Sequence, residues 1–426
     1  MQPDRLIRPL AASLSQQDWA GPALAAHLRQ RLPASFVRAP ETLAEALIRA
    51  FPGPVAPDPA LILGLLAHQP EIARLLSHAR RHDVAPAVWL QPPPFRPAPA
   101  LADLPLPRLA TCDALADWLA LPPDRLTLYA DLRGLSARTD SPFAPHYHHH
   151  LLPKADGSLR LLEEPKPVLK GLQRHLLRGL LSRVPPHDAA FGFCPGRNCI
   201  AAAARHAGEA VVLGFDLADF FPSIGIQRVY AVYRTLGYPR AVAWALAGLC
   251  TALTPPKILA TPALAAREAL STRHLPQGAP TSPALANLCA HALDRRLAGL
   301  ARSLGASYTR YADDLAFSGD ARIAPILRTA VPRIVAEEGF RLNPAKTRQM
   351  PAHHRQCVTG LVVNAGVNTP RAAFDQLKAT LHRLARAGDP RQTDPGFLAR
   401  LSGQIAWVEQ VNPARGARLR TRFDAL

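Results

Sequence analysis

Long apolar runs are missing from this 426-residue chain. The longest, Ala241 to Cys250, falls far short of the ~20 residues a membrane-spanning helix needs. Nothing here predicts association with a membrane by insertion. The start, Met1-Gln2-Pro3-Asp4-Arg5, has no secretory layout, because no long apolar stretch follows it. Cysteine is scarce as well. The six residues (Cys112, Cys194, Cys199, Cys250, Cys289, Cys357) form no CxxC pair and no dense framework. Scattered thiols of this kind suit a reducing compartment, so a cytoplasmic location is expected. Acidic residues are also in deficit, 32 against 50 lysines and arginines, which leaves a formal net charge of +18. Such a field favours a polyanion as partner, with nucleic acid ahead of an anionic surface.

Proline is abundant, at 44 residues, and marks the organisation of the chain. Residues 1–90 predict a helical accessory region, with apolar positions at Leu24, Leu28 and Leu32 and again at Leu43, Leu47 and Phe51, broken by Pro33 and Pro52. A proline-dense connector is expected over 91–108. A mixed helix and strand module should follow over 109–365, and a small helical appendage over 366–426. In that appendage Leu377, Leu381 and Leu384 face inward, Lys378, His382 and Arg386 lie on another face, and Gly388 ends the first helix.

Within the module, alternate histidines at His146, His148 and His150 predict a half-exposed strand. Residues 152–162 predict a hairpin about Asp156-Gly157 that brings Lys154 and Arg160 near each other. The helix 169–181 carries Lys170, Arg174 and Arg178, a basic face suited to a phosphate backbone. Val211 to Phe215 reads as a buried strand, yet Asp216 stands at its end, where a carboxylate needs a partner or a cation. Asp219 falls in the following turn, before Phe220 and Phe221. Gln277 and Gly278 lie in an extended loop that runs into a helix expected over 284–300. Its first amides are placed to meet a phosphate or a base edge. Asp313 and Asp314 then sit side by side in the apolar run Tyr311 to Phe317, between Tyr308-Thr309-Arg310, read as polar and turn-prone, and the loop signal Ser318-Gly319-Asp320. Alternation in a strand points one Asp into a site and its neighbour away. A solvated turn is the competing reading of an isolated Asp-Asp pair.

The series as a whole resembles the ordered motifs of reverse transcriptases. It comprises Lys154 with Arg160, Phe-Asp-Leu-Ala-Asp-Phe-Phe at 215–221, Leu-Pro-Gln-Gly-Ala-Pro-Thr-Ser-Pro at 275–283, Tyr-Ala-Asp-Asp at 311–314, and Gly-Phe-Arg-Leu-Asn-Pro-Ala-Lys-Thr at 339–347. Val358-Thr359-Gly360 is similar to a signature of bacterial retron enzymes. A second retron marker, Asn-Ala-x-x-His, is only partly matched by Ala202-Ala203-Ala204-Arg205-His206. Group II intron and diversity-generating enzymes share the same central motifs.

The resemblance implies an α+β, right-hand polymerase with fingers and palm over 109–365 and a thumb over 366–426. It implies that Asp216 and Asp313 bind two Mg²⁺ ions with Asp314 beside them, and that Lys154 and Arg160 clamp a triphosphate. Phe221 would be the ring that excludes a ribose 2′-hydroxyl. Asp219 and Phe220 would border the substrate with it, and Gln277 and Gly278 would flank the nascent base pair. Lys346 would donate a proton to pyrophosphate. Implied partners are a structured RNA template and primer, nascent DNA, dNTPs and a retron effector protein, in a setting of antiphage defence. With no long stretch after the thumb, neither an RNase H nor an endonuclease domain is expected. A non-catalytic, maturase-like RNA-binding protein and an untemplated polymerase stand as alternatives.

Overall fold

The computed structural model describes residues 3–32, 35–82, 95–138, 146–154, 156–386 and 389–426. Pro33, residues 83–94 and Gly388 therefore lie outside the described residues. The chain forms two units, Met1–Arg96 with Arg108–Leu115, and Pro97–Pro107 with Ala116–Leu426.

The first unit is built from helices Pro3–Leu14, Gly21–Arg29, Ala39–Ala50, Pro59–Ala67 and Pro70–His82. Proline opens several of them, where its missing N–H and fixed φ carry no penalty. Ile7, Leu10, Leu24, Leu28, Leu43, Leu47 and Ile62 form its core. Part of the proline-dense stretch is tied down within the second unit. Ala98 N–H donates to Thr235 O (3.0 Å), and Tyr238 Oη donates to Pro107 O (3.0 Å).

In the second unit, strands β1 (Tyr147–Pro153) and β2 (Leu159–Pro165) pair as an isolated antiparallel ribbon. The central sheet contains β3 (Val211–Asp216), β4 (Ser307–Tyr311), β5 (Asp314–Gly319) and β6 (Arg348–Pro351) in the order β4-β5-β3-β6, antiparallel throughout. A small pair follows, β7 (Cys357–Val358) with β8 (Leu361–Val362). Val211, Val212, Leu213 and Phe215 are buried, which accounts for the near-continuous apolar run of β3. The helix expected over 284–300 is instead two, Ser282–Cys289 and His291–Ser303, separated where Ala290 leaves helical geometry. The last segment packs three helices, Arg371–Leu384, Pro395–Val411 and Pro413–Asp424, about Leu381, Ile405, Val408 and Leu419. The arginines at its end are thus helical, and Arg420 pairs with Glu409 (3.0 Å).

Tyr308-Thr309-Arg310 is not a turn. It forms β4, with all three residues buried. Polar side chains sit in this strand because each finds a partner inside. Thr309 Oγ1 lies 2.7 Å from His206 Nε2, and His206 Nδ1 lies 2.8 Å from Ser318 Oγ on β5. His206 is fully buried, and that burial, helped by Arg205, lowers its imidazole to about 4. It is therefore neutral and bridges the two strands of the hairpin.

The sign of its contribution to stability follows from linkage. The unfolded imidazole takes a proton near pH 6.5 and the folded one does not, so its contribution is complete above pH 6.5 and is lost as pH falls towards 4. The full loss amounts to about 3 kcal/mol. Urea unfolding at pH 7.5, 6 and 5 should show His206→Gln with a flatter acid limb than wild type. Equal slopes would refute the neutral bridge.

Candidate active site

β3 is the middle of the site because it pairs on both edges. Asp216 stands opposite Asp314 in the β3–β5 register, and the two-residue turn Ala312-Asp313 joins β4 to β5. Main-chain bonds hold the carboxylate-bearing backbone from several sides. Leu217 N–H donates to Asp313 O (2.9 Å), Asn343 N–H to Asp216 O (2.7 Å) and Ala218 N–H to Arg341 O (2.8 Å). A cleft of about 740 Å³ opens above these ends. Lys154, Arg160, Asp216, Asp219, Phe220, Phe221, Gln277, Asp313 and Lys346 all line it. Residues spread over almost two hundred positions in sequence thus meet in one place. Asp314 and Gly278 are outside its lining.

Gly278 has a backbone role instead. Its φ is +125°, and a Cβ there would lie 2.9 Å from Glu163 O, so only glycine lets the loop pass this close to β2. The contact is completed by Glu163 N–H donating to Gln277 O (2.8 Å). The Glu163 carboxylate is itself buried, held by Thr254 Oγ1 (3.0 Å) and His274 Nε2 (2.8 Å).

The cleft's charges are arranged in two groups. Lys154 and Arg160 stand on the ribbon side, and neither has an ion-paired side-chain partner among the described residues. Asp216 is nearly buried and takes a 2.8 Å contact from Lys346 Nζ. That hydrogen bond to Asp216 raises the Lys346 ammonium above its usual range. Burial, with the negative charge of Asp216, pushes the Asp313 carboxyl up. Asp314 opens β5, an inner strand of the sheet, and is exposed as a residue. Its carboxyl is nonetheless raised to about 6 by partial burial and by Asp313 and Asp216. Asp219, expected among the substrate contacts, faces Arg341 at 3.5 Å.

Among the described residues no three His, Cys, Asp or Glu side chains already form a metal-binding cluster, so the three expected carboxylates are not assembled as one. Lys346 Nζ donates to one oxygen of Asp216. The donor set still fits hard divalent cations, since it offers carboxylate oxygens whose ionised form has too little compensation.

Behind the Ala312-Asp313 turn lies a network that sequence reasoning missed. Arg310 and Asp294 are both fully buried and form a two-pronged pair, Nε to Oδ1 at 2.8 Å and Nη2 to Oδ2 at 2.6 Å. Arg310 Nη1 also donates to Ala312 O and to Asn287 Oδ1, each at 3.0 Å. Asn287 Nδ2 donates to Gly192 O (2.9 Å), and Tyr308 Oη donates to Asp294 Oδ1 (2.9 Å). Gly192 is forced by proximity, because a Cβ there would lie 2.6 Å from Ala312 N. Ala312 itself has φ +57°, a conformation a non-glycine residue holds only when its surroundings impose it. The only sequence signal for this network was a charged residue inside a strand-length polar segment.

Residues 152–363 match the family model "Reverse transcriptase (RNA-dependent DNA polymerase)". The chain is 43% identical over 278 residues to the Retron Mx65 reverse transcriptase of Myxococcus xanthus, and 37% identical over 328 residues to the Retron Mx162 enzyme of the same organism. It belongs to the retron-type reverse transcriptases. These alignments cover 65% and 73% of the chain, and the chain spans 64% and 66% of those relatives' own lengths. The Retron Ec86 reverse transcriptase of Escherichia coli is 32% identical, over 53% of the chain and 65% of that relative. The matched region contains every site residue expected from the sequence, and also His206, the surviving half of the incomplete retron marker.

Proposed function

We propose that the chain is an RNA-directed DNA polymerase that extends a primer 3′-hydroxyl with dNTPs on an RNA template. The observation that carries this reading is the cleft in which Lys154 and Arg160, without an ion-paired partner among the described residues, face the carboxylates Asp216 and Asp313. Lys154 and Arg160 bind the triphosphate tail, where a guanidinium can grip phosphate oxygens with two parallel bonds. Asp216 and Asp313, supported by Asp314, hold two divalent cations, Mg²⁺ by their all-oxygen character. When bound, such ions lower the pKa of the attacking hydroxyl and offset charge on the leaving pyrophosphate. Phe221 stands where a 2′-hydroxyl would clash, and Gln277 borders the base pair. Lys346, already carrying a firmly held proton beside Asp216, supplies it to the departing pyrophosphate.

The helical end of the chain contacts the template–primer duplex through its backbone, so binding should weaken steeply with salt. The resemblance to retron enzymes implies a product of single-stranded DNA joined to the enzyme's own structured RNA, made for antiphage defence with an effector protein. No described helix is long and apolar enough to cross a membrane.

Primer extension with purified protein, Mg²⁺, an RNA template and dNTPs tests the polymerase reading. Equal incorporation by wild type and Asp313→Ala would refute it. Sequencing of copurified nucleic acid tests the retron reading. A branched RNA–DNA product supports it, whereas intron RNA supports the group II reading and untemplated DNA the untemplated-polymerase alternative.

A further inference from the structure

Phe193 is out of place on two counts. Its φ is +62°, a backbone conformation bulky side chains rarely adopt, and the residue is 47% exposed. An aromatic ring exposed by a strained backbone is costly twice over, so the surroundings must impose it. They do. On its N-terminal side Gly192 O accepts from Asn287 Nδ2, and Gly192 is wedged against the Ala312 turn. On its C-terminal side the Arg197 guanidinium donates to the carbonyls of His187, Asp188 and Ala190 (2.8–3.1 Å), which closes the loop back on its own start.

The direction in which this loop delivers the ring is informative. Phe193 lies 6.0 Å from Phe221, centroid to centroid, with the planes inclined at 53°. Phe221 contacts Phe220 on another side (5.6 Å), and Phe220 in turn contacts Phe340 (5.8 Å). Phe220 and Phe340 are buried, so the inner end of this row of four rings is fixed by the core. At the outer end Phe221 is only half-buried and its remaining aromatic neighbour is Phe193.

We propose that Phe193 is a positioning residue for sugar selection: its ring holds Phe221 in the orientation that excludes a ribose 2′-hydroxyl. The inference rests on the polymerase reading above and adds a second residue to its specificity. Without the Phe193 ring, Phe221 gains rotamer freedom on the open side and yields to the extra oxygen. The same loop touches the Ala312-Asp313 turn, so the gate and the carboxylates share one support.

The test is the ratio of kcat/KM for dCTP to that for CTP in primer extension on an RNA template. The stabilising effect of one offset aromatic pair predicts a fall of about fivefold in this ratio for Phe193→Ala. Phe193→Gly, which relieves the positive φ while also removing the ring, should give the same fall. Phe193→Tyr, which keeps the ring, should remain within about twofold of wild type. In a Phe221→Ala background, Phe193→Ala should change the ratio no further, because the residue acts through Phe221. A wild-type ratio in both ring-less variants overturns the proposal, and so does an undiminished effect in the Phe221→Ala background. Wild-type protein that extends with neither nucleotide overturns the polymerase reading itself. Thermal unfolding of each variant separates loss of fold from loss of selection, since misfolding lowers both rates together.

Discussion

Asp313→Asn should abolish nucleotide incorporation and at the same time leave the metal-free protein more stable. The two effects have one source. The Asp313 carboxyl is raised by burial and by Asp216, which means the folded protein holds the ionised form at a cost. A carboxylate with a raised folded pKa destabilises the fold at pH values above that pKa, and the penalty disappears as pH falls and the group protonates. Asparagine removes the charge at every pH with little change in shape. The main-chain bond from Leu217 N–H to Asp313 O is untouched, so the turn keeps its position. If Asp313 holds a divalent cation as proposed, its loss should reduce incorporation by about a thousandfold. Thermal unfolding in EDTA should show a midpoint raised by about 2 °C, corresponding to about 1 kcal/mol. A lowered midpoint would mean that Asp313 is structurally required, and the loss of activity would then say nothing about chemistry.

Breaking the Arg310–Asp294 pair should have the largest effect on stability of any single change considered. Both partners are fully buried, so Arg310→Met leaves the Asp294 carboxylate without its guanidinium and with the Tyr308 hydroxyl as its remaining side-chain hydrogen-bond donor among the described residues. The expected cost is about 3–5 kcal/mol. Asp294→Leu should cost a similar amount, because it strands the guanidinium. The double variant Arg310→Met/Asp294→Leu removes both charges and replaces them with apolar side chains, and should recover most of that stability. Its activity should not recover. Ala312 O loses its donor from Arg310 Nη1, and Asn287, which holds the Gly192 loop, loses its own anchor. The turn bearing Asp313 is then free to drift by a fraction of an ångström. Misplacement on that scale lowers kcat by about ten- to a hundredfold while leaving the KM for primer–template near wild type. A double variant that regains both stability and kcat would show that the pair only fills space.

The contrast between these residues explains what was legible before the structure. Asp216, Asp313 and Lys346, which line one cleft, were singled out because their motifs occur in a fixed order and because carboxylates in apolar strands violate the usual binary pattern visibly. The α+β architecture was implied by the resemblance to reverse transcriptases, and the central strand followed from the buried run at 211–215. Arg310 was misread as part of a turn because Ser-Tyr-Thr-Arg-Tyr has no alternation between apolar and polar residues. Its burial depends on Asp294 and Asn287, contributed by two helices 16 and 23 positions earlier, and no local signal announces such a pairing. His206 was noticed only as part of an incomplete marker. Its partners, Thr309 and Ser318, are more than a hundred residues away.

The ribbon β1–β2 has a mechanical consequence. The carboxylate wall of the cleft belongs to a four-stranded sheet and moves only if that sheet moves. The opposite wall, with Lys154 and Arg160, belongs to two strands that pair with no third strand. The ribbon's ties beyond itself include Leu159 with the 263–265 loop, Glu163 N–H with Gln277 O, and the Glu163 carboxylate with Thr254 and His274. β1 is tied as well, because Gln173 Nε2 donates to the buried Tyr147 Oη (3.1 Å). The two walls of the cleft belong to separate sheets, so the spacing between Lys154 and Arg160 on one side and the carboxylates on the other can change without breaking a bond within either sheet.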